Sequence, residues 1–223
     1  MSISLAVTDD IAQITLDDGR ANAIDPPWLD SFMETFAEAE KAATAIVIAG
    51  RDGIFSGGFN LKWMPTASAE ELGYLLDTAG RLVCQVYGSE RPVVGACTGH
   101  AIAMGQFLLL SCDTRIGAAG AFKFGANETL NGMNLPLFAQ EICKARLDPT
   151  QLTKLVIQSY MYGPDEAVQL GAIDLVVEPE QVIATATSIA KQLAQLPGGA
   201  YGWNKKAMRQ ATLDRIAATK NGY

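Results

Sequence analysis

Apolar and polar positions change period along the chain, and each change marks an element. Residues 7–16 alternate around Asp9-Asp10, the two-residue period of strands, and predict a β-hairpin. After Pro26 and Pro27 the spacing lengthens. Leu29, Phe32, Met33 and Phe36 recur at helical intervals, which predicts a helix from Pro26 to about Ala42. Residues 45–49 are apolar throughout, as expected of a strand covered on both faces. A glycine-rich loop at 55–60 leads to a helical period over 70–87. Residues 92–97 predict a second buried strand, and 99–112 turn into an apolar helix. Short strands are expected at 114–116, 122–124 and 173–177. Helices are expected at 136–146, 149–158, 164–170, 179–195 and 199–218. Strands alternating with helices predict an α/β fold with parallel β-α units.

Composition narrows the class. With 223 residues, 49% hydrophobic and 18% charged, the chain suits one globular domain with at most a small appendage. Its apolar runs, such as residues 107–110, are too short to cross a bilayer. The beginning, Met1-Ser2-Ile3-Ser4-Leu5, has no leader pattern, so the expectation is cytoplasmic. Cys84, Cys97, Cys112 and Cys143 lie in apolar segments without C-x-x-C spacing, so reduced core thiols are expected, with no metal site. A net charge of −7 argues against nucleic-acid binding. Lys205, Lys206, Arg209, Arg215 and Lys220 nevertheless cluster with one acid, Asp214. Charge alone favours a solvated helix face there over a landing site for a polyanion.

Candidate chemistry lies where two buried strands run into glycine-rich turns: 46–49 into Gly57-Gly58-Phe59, and 93–97 into Gly99 and Ala103-Met104-Gly105. Glycine there allows a sharp turn and close approach of a ligand. A helix starting near 101–103 aims free N–H groups at an anion. Two such turns can supply two donors to one oxyanion, and losing one such donor typically costs about 10²–10³ in rate. On spacing alone, ordinary βα turns are the favoured reading.

The residues themselves add a resemblance. Phe55-Ser56-Gly57-Gly58-Phe59-Asn60-Leu61 resembles the crotonase (enoyl-CoA hydratase/isomerase) motif F-[CSA]-[AG]-G-x-[DN]-[LI], and Arg91 to Ala101 resembles its K/R-P-V-[IV]-A-A-[IV]-[NST]-G-x-A. Gly19 to Ile24 is similar to that family's CoA loop, R-x-N-A-[LI]. Phe124-Gly125-Ala126-Asn127-Glu128 with Gly132, and Tyr162 to Ala167 with Gly171, follow in the family's order. The resemblance covers about residues 5–212. It implies a fold of repeated ββα units over 1–196 with a short C-terminal helical segment, 197–223, and assembly as a homotrimer or hexamer. It implies an acyl-CoA thioester as substrate, with no separate cofactor and no membrane or nucleic-acid partner.

Carried over residue by residue, the resemblance makes the main-chain N–H groups of Phe59 and Met104 the donors to the thioester oxygen. Arg20, Ala21, Ala23, Gly57, Asn60 and Leu61 would line the CoA site, with Lys206 approaching from the late helix. Crotonases that hydrate a double bond use two glutamates. One falls at Glu128; the other position holds Phe107. One acid and no second carboxylate argue for isomerisation of 3-enoyl-CoA to 2-enoyl-CoA, with Glu128 moving the proton. Asn127-Glu128-Thr129 is similar to the same segment of Δ3,Δ2-enoyl-CoA isomerases. The plain alternative is a first-turn helix acid capped by Asn127. Other acyl-CoA reactions, and a non-catalytic acyl-CoA binder, remain as rival functions. The stretch 99–109 is also similar to Clp peptidases, but Ala103 stands at their serine and the single histidine, His100, lies upstream of it.

Overall fold

The computed structural model describes residues 3–220 and 222; Met1, Ser2 and Tyr223, which bear on the expected ends, lie outside the described residues, as does Asn221. The opening hairpin is β1 (Ile3–Thr8) and β2 (Ile11–Leu16), turned through Asp9 and Asp10, both at positive φ (52° and 60°). Aspartate tolerates that region better than most residues with a Cβ. α1 (Pro26–Ala42) starts where the Asp25 carboxylate accepts the Trp28 N–H, and it buries Trp28, Leu29, Phe32, Phe36 and Ala39 along one stripe. It stops at Ala43, whose backbone is extended.

From there a ββα unit repeats. β3 (Ala45–Ala49), β4 (Gly53–Ser56) and α2 (Ala69–Gly88) form the first, with α2 opened by a Ser68/Glu71 capping box. β5 (Val93–Cys97), β6 (Gly99–Ile102) and α3 (Met104–Ser111) form the second. β7 (Thr114–Ala118), β8 (Phe124–Gly125) and α4 (Leu137–Arg146) form the third. The first strand of each unit enters a six-stranded sheet, β1-β2-β3-β5-β7-β9, parallel except for β1. The second strand enters a three-stranded parallel sheet, β4-β6-β8. α5 (Pro164–Gln169), β9 (Leu175–Val177), α6 (Val182–Leu193) and α7 (Gly198–Ala217) complete the chain.

Strand β3 shows why an all-apolar run is needed. Ile46 and Ile48 face the core shared with α1 to α4, while Ala45, Val47 and Ala49 face the core under α6. Side chains alternate across a strand, so a sheet covered on both faces leaves no polar position. α6 meets that second face with Val182, Ala186 and Ala190. Among the described residues no helix is long and apolar enough to cross a membrane.

Four expectations change. A strand, β4, leads into the glycine-rich loop and takes its first two residues, Phe55 and Ser56, and the segment expected to turn straight into a helix contains β6, so α3 begins at Met104. The strand expected at 122–124 contracts to Phe124–Gly125. The helix expected at 149–158 is instead a turn followed by a π-helical stretch, Thr153–Ile157. The two missed strands are four residues each and take their second-sheet pairing from residues about 45 positions away, a signal no local period carries.

Candidate active site

Every element of the candidate site leaves the C-terminal end of a parallel strand. After β2 the loop 17–25 is fixed by Asn22, fully buried and at φ 48°. Its side-chain amide donates to the Leu16 and Phe55 carbonyls (2.8 and 3.0 Å), and its own carbonyl accepts the Ser56 hydroxyl (2.8 Å). The Asp18 carboxylate accepts the N–H groups of Arg20, Asn22 and Ala23. Partial burial works to raise the Asp18 pKa, but these donors outweigh it and hold it below the usual carboxylate value. Gly57 donates to the Ala21 carbonyl (2.9 Å), joining this loop to the one after β4. Arg20, Ala21 and Ala23 thus share a rim with Gly57, Asn60 and Leu61. Arg20, Ala21 and Leu61 are exposed, and the other three half-buried. Asn60 is partly engaged locally, donating to Asp25 (3.2 Å) and accepting the N–H groups of Lys62 and Trp63.

The same bonds orient Phe59. Ile24 donates to the Gly58 carbonyl (2.9 Å) and accepts the Asn60 N–H (2.8 Å), a parallel bridge that flanks Phe59. In such a bridge the flanked residue turns its own N–H to the opposite edge. The chain from Ile102 to Met104 passes close to Gly58. A Cβ added to Gly58, which has φ 90°, would sit 2.8 Å from the Ala103 Cβ, 2.9 Å from the Ile102 carbonyl and 3.3 Å from the Met104 nitrogen. Only glycine lets the two turns approach this closely.

Ala103 forms the corner before α3 at φ 51°, ψ −124°, a strained conformation for a residue with a Cβ. It is held from both ends: its N–H donates to the Gly125 carbonyl (2.9 Å) and its carbonyl accepts the Phe107 N–H (3.1 Å). The next N–H, of Met104, is the first of α3 and has no acceptor within the helix. The Met104 side chain is fully buried in the core.

β8 pairs with β6, so the carbonyl that anchors Ala103 lies three residues before Glu128. Glu128 occupies a turn, with its carbonyl accepting the Met133 N–H (2.9 Å), well before α4 begins at Leu137. It is therefore no first-turn helix acid. Its side chain is 5% exposed, and Oε2 is buried without a hydrogen-bond partner among the described residues. Burial raises its pKa to about 7, against a smaller lowering by its own main-chain N–H. Phe107 is buried edge-on against Phe138, 6.3 Å between ring centroids. His100 accepts the Lys123 N–H at Nδ1 (3.0 Å) and packs on Phe122, as a structural histidine does.

Comparison with known proteins accords with this architecture. The family model described as enoyl-CoA hydratase/isomerase matches residues 7–221. The chain belongs to the enoyl-CoA hydratase/isomerase family. It is 28% identical over 186 residues to human mitochondrial enoyl-CoA delta isomerase 1, a match covering 82% of this chain and 62% of that protein. An enoyl-CoA hydratase/isomerase family protein of Pseudomonas syringae superposes with a TM-score of 0.94 at 35% identity, over 97% of this chain and 94% of that one. The probable enoyl-CoA hydratase EchA3 of Mycobacterium tuberculosis superposes with a TM-score of 0.94 at 34% identity, over 98% and 92%. Names of both activities thus occur among its relatives.

One residue expected at the family's CoA site lies elsewhere. Lys206 Nζ pairs with Glu90 (2.6 Å) where β5 begins, at the opposite end of the main sheet from the loop carrying Arg20. Three more of the basic run are also engaged: Lys205 and Arg209 with Asp113, and Arg215 with Glu141. These carboxylates lie more than seventy positions away in sequence, so charge along the helix alone suggested a free basic face. Sequence reasoning gave Gly58 a turn but read no backbone role for Asn22 or Ala103. Their work is in backbone geometry, which positive φ reports and residue identity does not.

Proposed function

We propose that the protein is an enoyl-CoA isomerase that moves the double bond of a 3-enoyl-CoA to C2. The thioester carbonyl would accept the Phe59 and Met104 N–H groups, lowering the cost of negative charge on its oxygen. Glu128 takes a C2 proton, the electron pair delocalises through C3 and C4 to the thioester oxygen, and the same carboxyl returns the proton at C4. No water is consumed and no cofactor is needed beyond the CoA that the substrate carries. Arg20, Ala21, Ala23, Gly57, Asn60 and Leu61 would line the nucleotide end.

The observation carrying this reading is the buried Glu128 carboxyl, with one oxygen unpartnered among the described residues and a pKa raised to about 7, in a chain where Phe107 stands at the other, first glutamate position of a hydratase. A group that both accepts and returns a proton works best with its pKa near the operating pH. Hydration needs a second group to hold and activate water, and a phenyl ring does neither. The test offers 3-hexenoyl-CoA and 2-hexenoyl-CoA separately. Isomerisation of the first, abolished in Glu128→Gln, is expected. Conversion of the second to a 3-hydroxyacyl product at a comparable rate overturns the reading. Binding of both without turnover supports a non-catalytic acyl-CoA protein instead.

A further inference from the structure

Helix α3, whose first N–H is that of Met104, is buried along its whole length, and Gln106 is its one polar side chain before Ser111. Gln106 is 1% exposed, and its two amide atoms fare differently. Nε2 donates to the Tyr162 hydroxyl (2.9 Å), while Oε1 is buried with no partner among the described residues. Tyr162, equally buried, is itself fastened to β8. Its N–H donates to the Phe124 carbonyl (3.0 Å), its carbonyl accepts the Phe124 N–H (2.9 Å), and the two rings stack with centroids 6.2 Å apart. β8 is the strand whose Gly125 carbonyl anchors Ala103, and it leads to Glu128 three residues on. Gly105 grips the same turn of α3 from another side. A Cβ there would run into the Ser56 carbonyl, at the end of β4 where the loop to Phe59 begins. The first turn of α3 is thus held by the strand that leads to Phe59 and, through one side-chain hydrogen bond, by the strand that leads to Glu128.

As a source of stability the Gln106–Tyr162 pair is poor. The net gain from one neutral hydrogen bond is no larger than the usual cost of a buried acceptor left without a donor. An apolar side chain of similar length would avoid that cost in a helix that is otherwise apolar. What the bond does fix is direction: it sets the turn carrying the Met104 N–H relative to the strand leading to the acid. We propose that Gln106 and Tyr162 are positioning residues, a neutral brace that keeps the Met104 N–H aimed at the thioester oxygen while Glu128 works on the same substrate. The inference deepens the isomerase reading and rests on it for the role of the two amides. A donor stabilises developing charge only when it is already aimed at it, so losing the brace acts on turnover and not on substrate binding.

The test compares the wild-type protein with Gln106→Met, Tyr162→Phe and the double variant, which removes both hydrogen-bonding partners together. With 3-hexenoyl-CoA, kcat is expected to fall about tenfold, less than for outright loss of a donor, with KM within about twofold. The double variant is expected to be no slower than the slower single variant, because the two residues act through one bond. It is expected to unfold at no lower urea concentration than the wild type. A second readout needs no turnover. Acetoacetyl-CoA gives up a C2 proton to form an enolate that absorbs in the near ultraviolet, and aimed amides raise the enolate fraction of the bound ligand. At a fixed pH the ratio of bound enolate to neutral form is expected to fall about tenfold in the variants, with hexanoyl-CoA affinity unchanged by calorimetry. If the Gln106 variants do not fold, Tyr162→Phe alone removes the hydroxyl and keeps the ring. An unchanged kcat or enolate ratio in a folded variant overturns the proposal, as does a loss of hexanoyl-CoA affinity as large as the loss of kcat. If the wild-type protein isomerises nothing, the isomerase reading fails on its own, and the enolate ratio decides the brace. A ratio that falls in the variants then supports it, and an unchanged ratio, or no enolate with the wild-type protein, rejects it.

Discussion

Two buried carboxylates lie at opposite ends of the main sheet, and they differ in company rather than in depth. Asp113, just before β7, has a side chain 6% exposed and four donors around it. Its Oδ2 accepts the Val93 N–H, the Tyr201 hydroxyl and Lys205 Nζ (2.8, 2.9 and 2.8 Å), and its Oδ1 accepts from Arg209 (2.7 Å). Lys205 is equally buried, and burial pulls its ammonium pKa down despite the Asp113 charge beside it. Glu128, 5% exposed beyond the C-terminal ends of the strands, has an oxygen with no partner among the described residues and a pKa pushed up to about 7. A carboxylate enclosed by donors fastens α7 to the sheet. One left without them holds and releases a proton near neutrality.

The largest expected effect follows from removing the uncompensated acid. Glu128→Gln should lower kcat/KM for 3-hexenoyl-CoA by about 10²–10⁴, the usual worth of general acid–base help. It should leave the thermal midpoint at pH 8 no lower than the wild type. Asp113→Ala should do the reverse. It strands Lys205 and Arg209 without their carboxylate, and denaturant unfolding should show a loss of about 3–5 kcal/mol. In the protein that remains folded, the pH profile of kcat/KM should be unchanged.

The third prediction concerns pH. Glu128 holds its proton more tightly folded, at about 7, than at the ordinary 4.5, so its contribution to stability is full below about pH 4.5 and is lost as pH rises through 7. The difference amounts to about 3 kcal/mol. Glu128→Gln should therefore gain on the wild type between pH 5 and 8 in urea unfolding, and match it at pH 4.5. The smallest effect is expected at Lys206. Both side chains of its pair with Glu90 are exposed, and the pair lies at the opposite end of the main sheet from the loop carrying Arg20. Lys206→Ala should leave acyl-CoA affinity unchanged by calorimetry; a tenfold weakening would return Lys206 to the site.

The contrast also explains what could be read in advance. Segments whose structure follows from local period were legible: α1 spans Pro26–Ala42, and the apolar run Ala45–Ala49 is a strand with both faces covered. Glu128 could be singled out by residue type and motif, but not its burial or the oxygen left unpartnered among the described residues. β4 and β6 were not, because each is four residues long and exists through pairing in the second sheet. The strained corner at Ala103 was not, since alanine gives no hint of positive φ. The fate of the basic run was not either. Asp113 lies ninety-two positions before Lys205, and only the fold decides whether a lysine meets a carboxylate or a phosphate.

The carboxyl of Glu128 can be observed directly. Carbon-13 NMR of protein labelled at glutamate side-chain carboxyls, with the resonance assigned by its absence in Glu128→Gln, gives its titration in the folded protein. A midpoint near pH 7, matching the rising limb of kcat/KM for 3-hexenoyl-CoA, is the predicted result. A midpoint near 4.5 would mean a solvated or well-partnered carboxylate, and would contradict a lone buried acid as the proton carrier.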